Sequence, residues 1–475
     1  MINLFFILVS KFRTLSISII SFGFSLILFL ISIIFYGLFD NNYPSYQFIY
    51  LKYWSYNSSI NYNIGFGLDG LSLVFIILTT LLFMLVFLTA WKQNYIYIQE
   101  YCYCLLSLEL FLLAVFTSLD ILTFFFMFES VLIPMFLIIG LWGSLNRKIY
   151  ASLLFFLFTL GGSLCLLLVI LILYYDFGTF NFSLLSKIEI NDNKQLILWF
   201  LTFISFSVKV PMIPFHLWLP EAHVEAPSAG SVILAGVLLK LGGYGILRIL
   251  LPIFPYGSFF FLPVVYLLST ISILYASLTA IRQLDLKRIV AYSSIAHMNL
   301  VVLGLFSNVI EGVMGATFLM LGHGLVSGLL FFLIGFLYER YGTRLLAYYG
   351  GLVKMMPIFA FFFLISCLAN LGLPGTCNFI GELLLFLSIL NKNKIIFFLI
   401  LSSVVLSAIY SLYLYTRLMN GNLTSYLKNY SDLLSYEIYI SITLIFFIIF
   451  FGFMPNFILE LLSSSHFLIL ERIKF

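Results

Sequence analysis

Lys209, Lys240, Glu129 and Glu382 each stand inside a run of apolar residues long enough to cross a bilayer, and His297 and His323 lie at similar depth in two further runs. A charge at mid-bilayer costs roughly 2.5–3.5 kcal/mol on insertion scales. A side chain chosen only for packing would not be ionisable there. Amines, carboxylates and imidazoles share one chemistry in such a place: each binds a proton, releases it and can pass it to a neighbour. Glu109 is a further carboxylate of this kind, but it lies nearer its helix end, where a structural role is the simpler reading.

Lys209 precedes Val-Pro211-Met-Ile-Pro214. Proline removes a backbone donor and clashes with the preceding turn, so this pair predicts a broken helix. Helix breaks at mid-membrane recur in ion pathways, because freed backbone groups need water or polar partners. A lysine snorkelling beside a kink is the competing reading, but apolar residues on both sides leave Lys209 badly placed for it. The run 357–390 repeats the device, with Pro374-Gly375 followed by Glu382. Glu129, midway along its own run, is the natural counter-charge for Lys209. Moving that carboxylate nearer or farther would decide whether the amine keeps its proton; a static ion pair is the alternative. Lys240 lies in Leu-Lys-Leu-Gly-Gly-Tyr-Gly, where small residues permit close packing or a hydrated path. His323 lies between Gly322 and Gly324. A proton relay is expected of His323 and, with less support, of His297; a hydrogen-bonded packing role is the plainer option for each.

The composition says what must position these groups. Of 475 residues, 63% are hydrophobic and 9% charged, against roughly 45–50% and about 25% in soluble chains. So few charges cannot cover a soluble surface. The runs are continuously apolar and not alternating, which excludes a membrane barrel. The expected class is all-α, a polytopic transmembrane bundle. Thirteen runs read as spans: 15–38, 69–90, 102–118, 120–141, 150–174, 196–219, 226–250, 258–281, 286–306, 310–338, 357–390, 395–417 and 436–459. Residues 2–9 are too short to span. The chain divides into N-terminal helices (1–101), a five-helix repeat (102–250), a second repeat of opposite topology (258–417), and a C-terminal helix and tail (418–475). The broken run is fourth in each repeat, which suggests inversion. Thirteen Lys and Arg, among them Lys11, Arg13, Lys92, Arg147, Lys148, Lys287, Arg340 and Arg344, fall on the side where the 15–38 run starts, against eight opposite, which marks the first as the inner side.

Other chemistries are not supported. His216, Glu221, His223 and Glu225 crowd one segment but lack a zinc-binding spacing, so no metal is expected. Cys102 and Cys104 are too few for a cluster. No nucleotide loop, haem motif or convincing cleavable signal is present. A net charge of +4 does not point to nucleic acid. With 55 Phe and 30 Tyr, the composition fits an A+T-rich organelle genome.

The stretch from Lys209 through Val-Pro-Met-Ile-Pro-Phe-His-Leu-Trp-Leu-Pro-Glu-Ala-His-Val-Glu-Ala-Pro to Lys240-Leu-Gly-Gly-Tyr-Gly resembles the core signature of the antiporter-like membrane subunits of respiratory complex I. Asp285-Leu-Lys-Arg-Ile-Val-Ala-Tyr-Ser-Ser-Ile-Ala-His297 and Gly372-Leu-Pro-Gly-Thr-Cys-Asn-Phe-Ile-Gly-Glu382 resemble later signatures. The similarity runs from about residue 12 onward. Glu382 and the Ala-His-Val-Glu-Ala-Pro run resemble the chain 4 group of these subunits; its sister groups carry lysine at the position of Glu382.

The resemblance implies a proton-translocating subunit of NADH:ubiquinone oxidoreductase; with the Phe- and Tyr-rich composition and the Lys and Arg bias, the expected place is the mitochondrial inner membrane with the N-terminus in the matrix. It implies Glu129 and Lys209 as a paired switch, Lys240 as central relay, His323 as link between halves, and Glu382 as terminal proton site. NADH, FMN, iron–sulfur clusters and ubiquinone would be held by partner subunits, none by this chain. The partners would be other complex I subunits, neighbouring antiporter-like ones above all, and membrane lipids. The family pattern has one more span than this chain; the missing helix is peripheral to both repeats, and another subunit can take over its contacts. Two other readings remain: a subunit of a multi-subunit sodium/proton antiporter, and a non-pumping membrane scaffold.

Overall fold

The computed structural model describes residues 14–53, 63–92, 97–144, 146–424, 426 and 431–473. Residues 2–9, and the cations Lys11 and Arg13, lie outside them. Among the described residues, eleven helices are long and apolar enough to cross a membrane. In chain order the principal helices are α1 (Thr14–Leu38), α2 (Gly70–Lys92), α3 (Ile98–Thr117), α4 (Ile121–Trp142), α5 (Lys148–Phe177), α6 (Asp192–Lys209), α7 (Trp218–Glu225), α8 (Ser228–Ile253), α9 (Leu262–Arg282), α10 (Leu286–Leu305), α11 (Ile310–Tyr341), α12 (Pro357–Leu371), α13 (Cys377–Lys392), α14 (Lys394–Met419), α15 (Ser435–Phe453) and α16 (Asn456–Ile473). The chain is a multi-pass helical membrane protein.

The pairs α6–α7 and α12–α13 are the two interrupted spans. The first stops at Lys209, just before Pro211, and resumes at Trp218. The second stops at Leu371, where Gly372 takes a φ of +81° that an L side chain rarely adopts, and Pro374 follows before α13 starts at Cys377. α4 is locally irregular at Val131. Pro134 cannot donate to the carbonyl one turn back, so the helix loosens beside Glu129.

Burial sorts the helices. α11 is buried throughout its apolar span and forms the central pillar, packed by α8, α10, α13, α15 and α16. α14 leaves Ile395, Phe398 and Val405 exposed, and α1 leaves Ile34 and Leu38 exposed. Large apolar side chains on the rim suit lipid as their solvent. Glycines permit the closest crossings. A Cβ on Gly324 would lie 3.0 Å from the Gly236 carbonyl, and one on Gly243 would lie 2.4 Å from Met320 Sδ. These contacts lock α8 against α11.

Two features go beyond an all-helical reading. An antiparallel hairpin, β1 (Gln47–Tyr53) with β2 (Asn63–Leu68), connects α1 to α2. Each strand is too short for its alternation to stand out from the apolar background. α8 also contains two π-helical turns, Leu234–Leu238 and Ile246–Leu250, on either side of Lys240. At the far end of α8, Arg248 pairs with Asp69 at 2.6 Å and contacts the Tyr244 hydroxyl at 3.3 Å.

Candidate functional site

The π turn before Lys240 has a local consequence. Widening a helix to i→i+5 bonding releases carbonyls from the regular ladder. The Lys240 amine donates to a carbonyl within this turn, that of Ala235. It also lies 2.8 Å from Nδ1 of His323 on α11. Lys240 and His323 are both fully buried. An ammonium only donates, so with Lys240 charged, Nδ1 of His323 accepts and the ring proton sits on Nε2. That Nε2 has no hydrogen-bond partner among the described residues.

From His323 the titratable groups continue. The ring of His297 on α10 is 5.6 Å away, centroid to centroid. Nδ1 of His297 lies 3.4 Å from Oε1 of Glu382 on α13. The second helix break places this carboxylate: a Cβ on Gly372 would fall 2.5 Å from Glu382 Oε2. Glycine at the break thus leaves room for the carboxylate at the start of the resumed helix. Lys240, His323, His297 and Glu382 form one contiguous run through the protein interior. His297, the less favoured of the two histidines on sequence grounds, is the member that touches the terminal carboxylate.

Lys209 stands beside this run. It ends α6, and α8 packs against it where a Cβ on Gly242 would meet Lys209 Cβ at 3.2 Å. Its ammonium lies over the Phe128 ring at 4.2 Å, a cation–π contact. Glu129, next to Phe128, lies near enough to feel its charge, with Ser163 also in reach. No direct ion pair joins Lys209 to Glu129 among the described residues. The phenyl ring takes the position over the amine that a simple pairing gives to the carboxylate.

The broken segment's freed backbone groups find partners. The Pro211 carbonyl accepts from Asn299 at 3.3 Å, the Ile213 N–H donates to Ser272 Oγ at 3.0 Å, and the Val208 carbonyl accepts from Trp218 at 3.0 Å. Buried polar groups are expensive unless bonded, so Asn299 and Ser272 hold the break open in one shape.

The His216–Glu225 cluster disperses. His216 packs on Tyr275, Glu221 pairs with Arg288 at 2.7 Å, and His223 stacks on Phe331 at 4.6 Å. Among the described residues no three His, Cys, Asp or Glu side chains gather as a metal site. Glu109 is fully buried, and neither carboxylate oxygen has a partner among the described residues. Lys287 belongs by position with the loop cations, yet the fold buries it, and its amine donates to the Ala226 carbonyl at 2.7 Å. The turn that buries it carries no sequence signal. The π turn at Ala235 and the space at Gly372 likewise become visible only in three dimensions.

A helical membrane bundle with two interrupted spans and an interior run of amine, imidazole and carboxylate is the architecture of an ion-translocating membrane protein. Residues 118–410 match the family described as NADH:quinone oxidoreductase/Mrp antiporter, TM. NADH-ubiquinone oxidoreductase chain 4 of Marchantia polymorpha is 49% identical over 442 residues, 93% of this chain and 89% of the relative. A chain of respiratory complex I from Thermus thermophilus with bound NADH has a TM-score of 0.86 at 27% identity, covering 98% of this chain and 100% of that one. A chain of the Mrp complex from Dietzia sp. DQ12-45-1b has a TM-score of 0.83 at 19% identity, covering 95% and 92%, a likeness of fold. The chain belongs to the NADH:quinone oxidoreductase/Mrp antiporter membrane family.

Proposed function

We propose that this chain is a proton-translocating membrane-arm subunit of a complex I-type NADH:ubiquinone oxidoreductase. The observation that carries the reading is the contiguous run Lys240–His323–His297–Glu382, with neighbours 2.8 Å apart, 5.6 Å apart between ring centroids, and 3.4 Å apart. Every member binds and releases protons, and ring rotation or one intervening water spans each gap. Glu129 and Lys209 feed the run. Shifting the Glu129 carboxylate toward or away from the amine changes whether Lys209 holds its proton, and Phe128 holds the amine in place between those states. Lys240 receives the proton, His323 and His297 pass it between the two halves, and Glu382 is the terminal site. Residues 102–250 and 258–417 act as inverted repeats, each with its interrupted span.

The energy comes from NADH oxidation and ubiquinone reduction in partner subunits, which hold FMN and iron–sulfur clusters. The relative's name and its near full-length coverage support this assembly over a sodium/proton antiporter. The 55 Phe and 30 Tyr support organelle coding, hence the mitochondrial inner membrane. The lysine and arginine distribution supports a matrix-side N-terminus. The test is Glu382→Gln in the assembled complex, with protons moved per NADH as readout. An amide cannot exchange a proton near neutral pH, so pumping falls. Glu382→Lys retains part of it, since an amine also loads and releases a proton. Wild-type pumping by Glu382→Gln removes Glu382 from the route.

A further inference from the structure

A cavity of about 20 Å³ lies between α9, α10, α13 and α14, lined among others by His297, Glu382, Ser277, Ser407 and Tyr410. That exceeds the roughly 10–15 Å³ that one water molecule needs. Its walls carry the polar partners a water requires. The hydroxyl of Tyr410, on a side chain 2% exposed, has no hydrogen-bond partner among the described residues. It also lies near enough to feel the charge of Glu382. The hydroxyls of Ser277 and Ser407 donate to the carbonyls of Ile273 at 2.9 Å and Val404 at 2.8 Å, which leaves their oxygens free to accept.

We infer that this cavity is a binding site for a single water molecule, which accepts from the Tyr410 hydroxyl and donates to Glu382 and to Ser407. The inference rests on the proton-transfer reading of Glu382 and extends it. Tyr410 is a positioning residue: through the water it supplies a donor to the carboxylate and fixes where the terminal site keeps its proton. It gives Glu382 a polar contact on the side of α14. Without the hydroxyl the water has one fewer partner and the carboxylate loses its relayed donor.

The test is infrared difference spectroscopy of the assembled complex, with the carboxyl C=O band of Glu382 identified by its loss in Glu382→Gln. Tyr410→Phe moves that band to higher frequency, as expected for a carboxyl stripped of a hydrogen bond. A water O–H band sensitive to ¹⁸O-labelled water disappears with it. Pumping falls about fivefold, the size of one lost hydrogen bond. Ser407→Val keeps Tyr410 but fills the cavity, and produces the same two spectral changes; it serves if Tyr410→Phe fails to assemble. An unshifted Glu382 band, or an ¹⁸O-sensitive water band that persists, in whichever variant assembles, overturns the water site. If Glu382→Gln pumps like wild type, the reading of Glu382 itself fails. If Glu382→Gln stops pumping while the Tyr410→Phe and Ser407→Val spectra stay unchanged, only the water site fails.

Discussion

The amine of Lys240 and the imidazole of His323 meet at 2.8 Å in the helical core, 83 residues apart in sequence. Neither has solvent to fall back on. Among the described residues, Lys240 has this contact and the Ala235 carbonyl as its hydrogen-bond partners. Replacing His323 by Phe keeps the bulk and removes the acceptor. Pumping by the assembled His323→Phe complex is expected to fall at least about tenfold, with NADH oxidation slowed alongside, because a charged hydrogen bond is worth about 1.5–3 kcal/mol. Proton uptake and NADH oxidation measured together in vesicles check it; undiminished pumping removes His323 from the route.

Gly372 tests the fit between the helix break and the carboxylate. Its φ of +81°, and the 2.5 Å that would separate an added Cβ from Glu382 Oε2, leave no room for alanine. Gly372→Ala is expected to destabilise the subunit by about 1–3 kcal/mol through backbone strain, and to displace Glu382 from His297. Thermal inactivation is then faster and pumping lower. Neutral behaviour in both would show that the carboxylate does not depend on the break.

The pair Arg248–Asp69 is structural, with Asp69 just ahead of the first residue of α2. The Asp69 carboxylate accepts from the Arg248 guanidinium and from the Ser72 N–H at 3.0 Å. Arg248→Met strands a buried carboxylate at neutral pH, a loss of about 3–5 kcal/mol. The expected result is poor assembly, scored as the amount of intact complex on native gels, and recovery in the double variant Arg248→Met with Asp69→Asn. No recovery would place the defect elsewhere.

Close packing of α8 on α11 sets the Lys240–His323 distance. Gly324→Leu inserts a side chain where even a Cβ meets Leu78 at 2.9 Å and the Gly236 carbonyl at 3.0 Å. Overpacking of this kind costs about 1–3 kcal/mol. The variant is expected to lower pumping more than NADH oxidation, since it widens the relay without touching the redox partners. Equal ratios of the two rates in variant and wild type would count against a distance-dependent relay.

Much of the site was legible in the sequence because charge in hydrocarbon announces itself locally. Lys209, Lys240, Glu129 and Glu382 need only their apolar neighbours to be singled out, and Pro211 and Pro374 mark the interruptions without any tertiary information. Which charges touch was not legible. His297 meets Glu382 across α10 and α13, and His323 meets Lys240 across α11 and α8, at crossings set by glycine contacts far apart in sequence. The π turns have no residue signature. The Phe128 ring over the Lys209 amine is a further contact that reading Glu129 as the counter-charge did not bring out.

In the proposed route Lys240 is the point at which the first half of the chain hands over to the second, so the protons moved per NADH by a Lys240→Met complex test the central claim most directly. Methionine keeps the length and apolar stem and cannot carry a proton. With assembly and NADH oxidation verified, the relay reading expects the ratio to fall below wild type, with Lys240→Arg, which stays charged, failing as well. An unchanged ratio in Lys240→Met would contradict it.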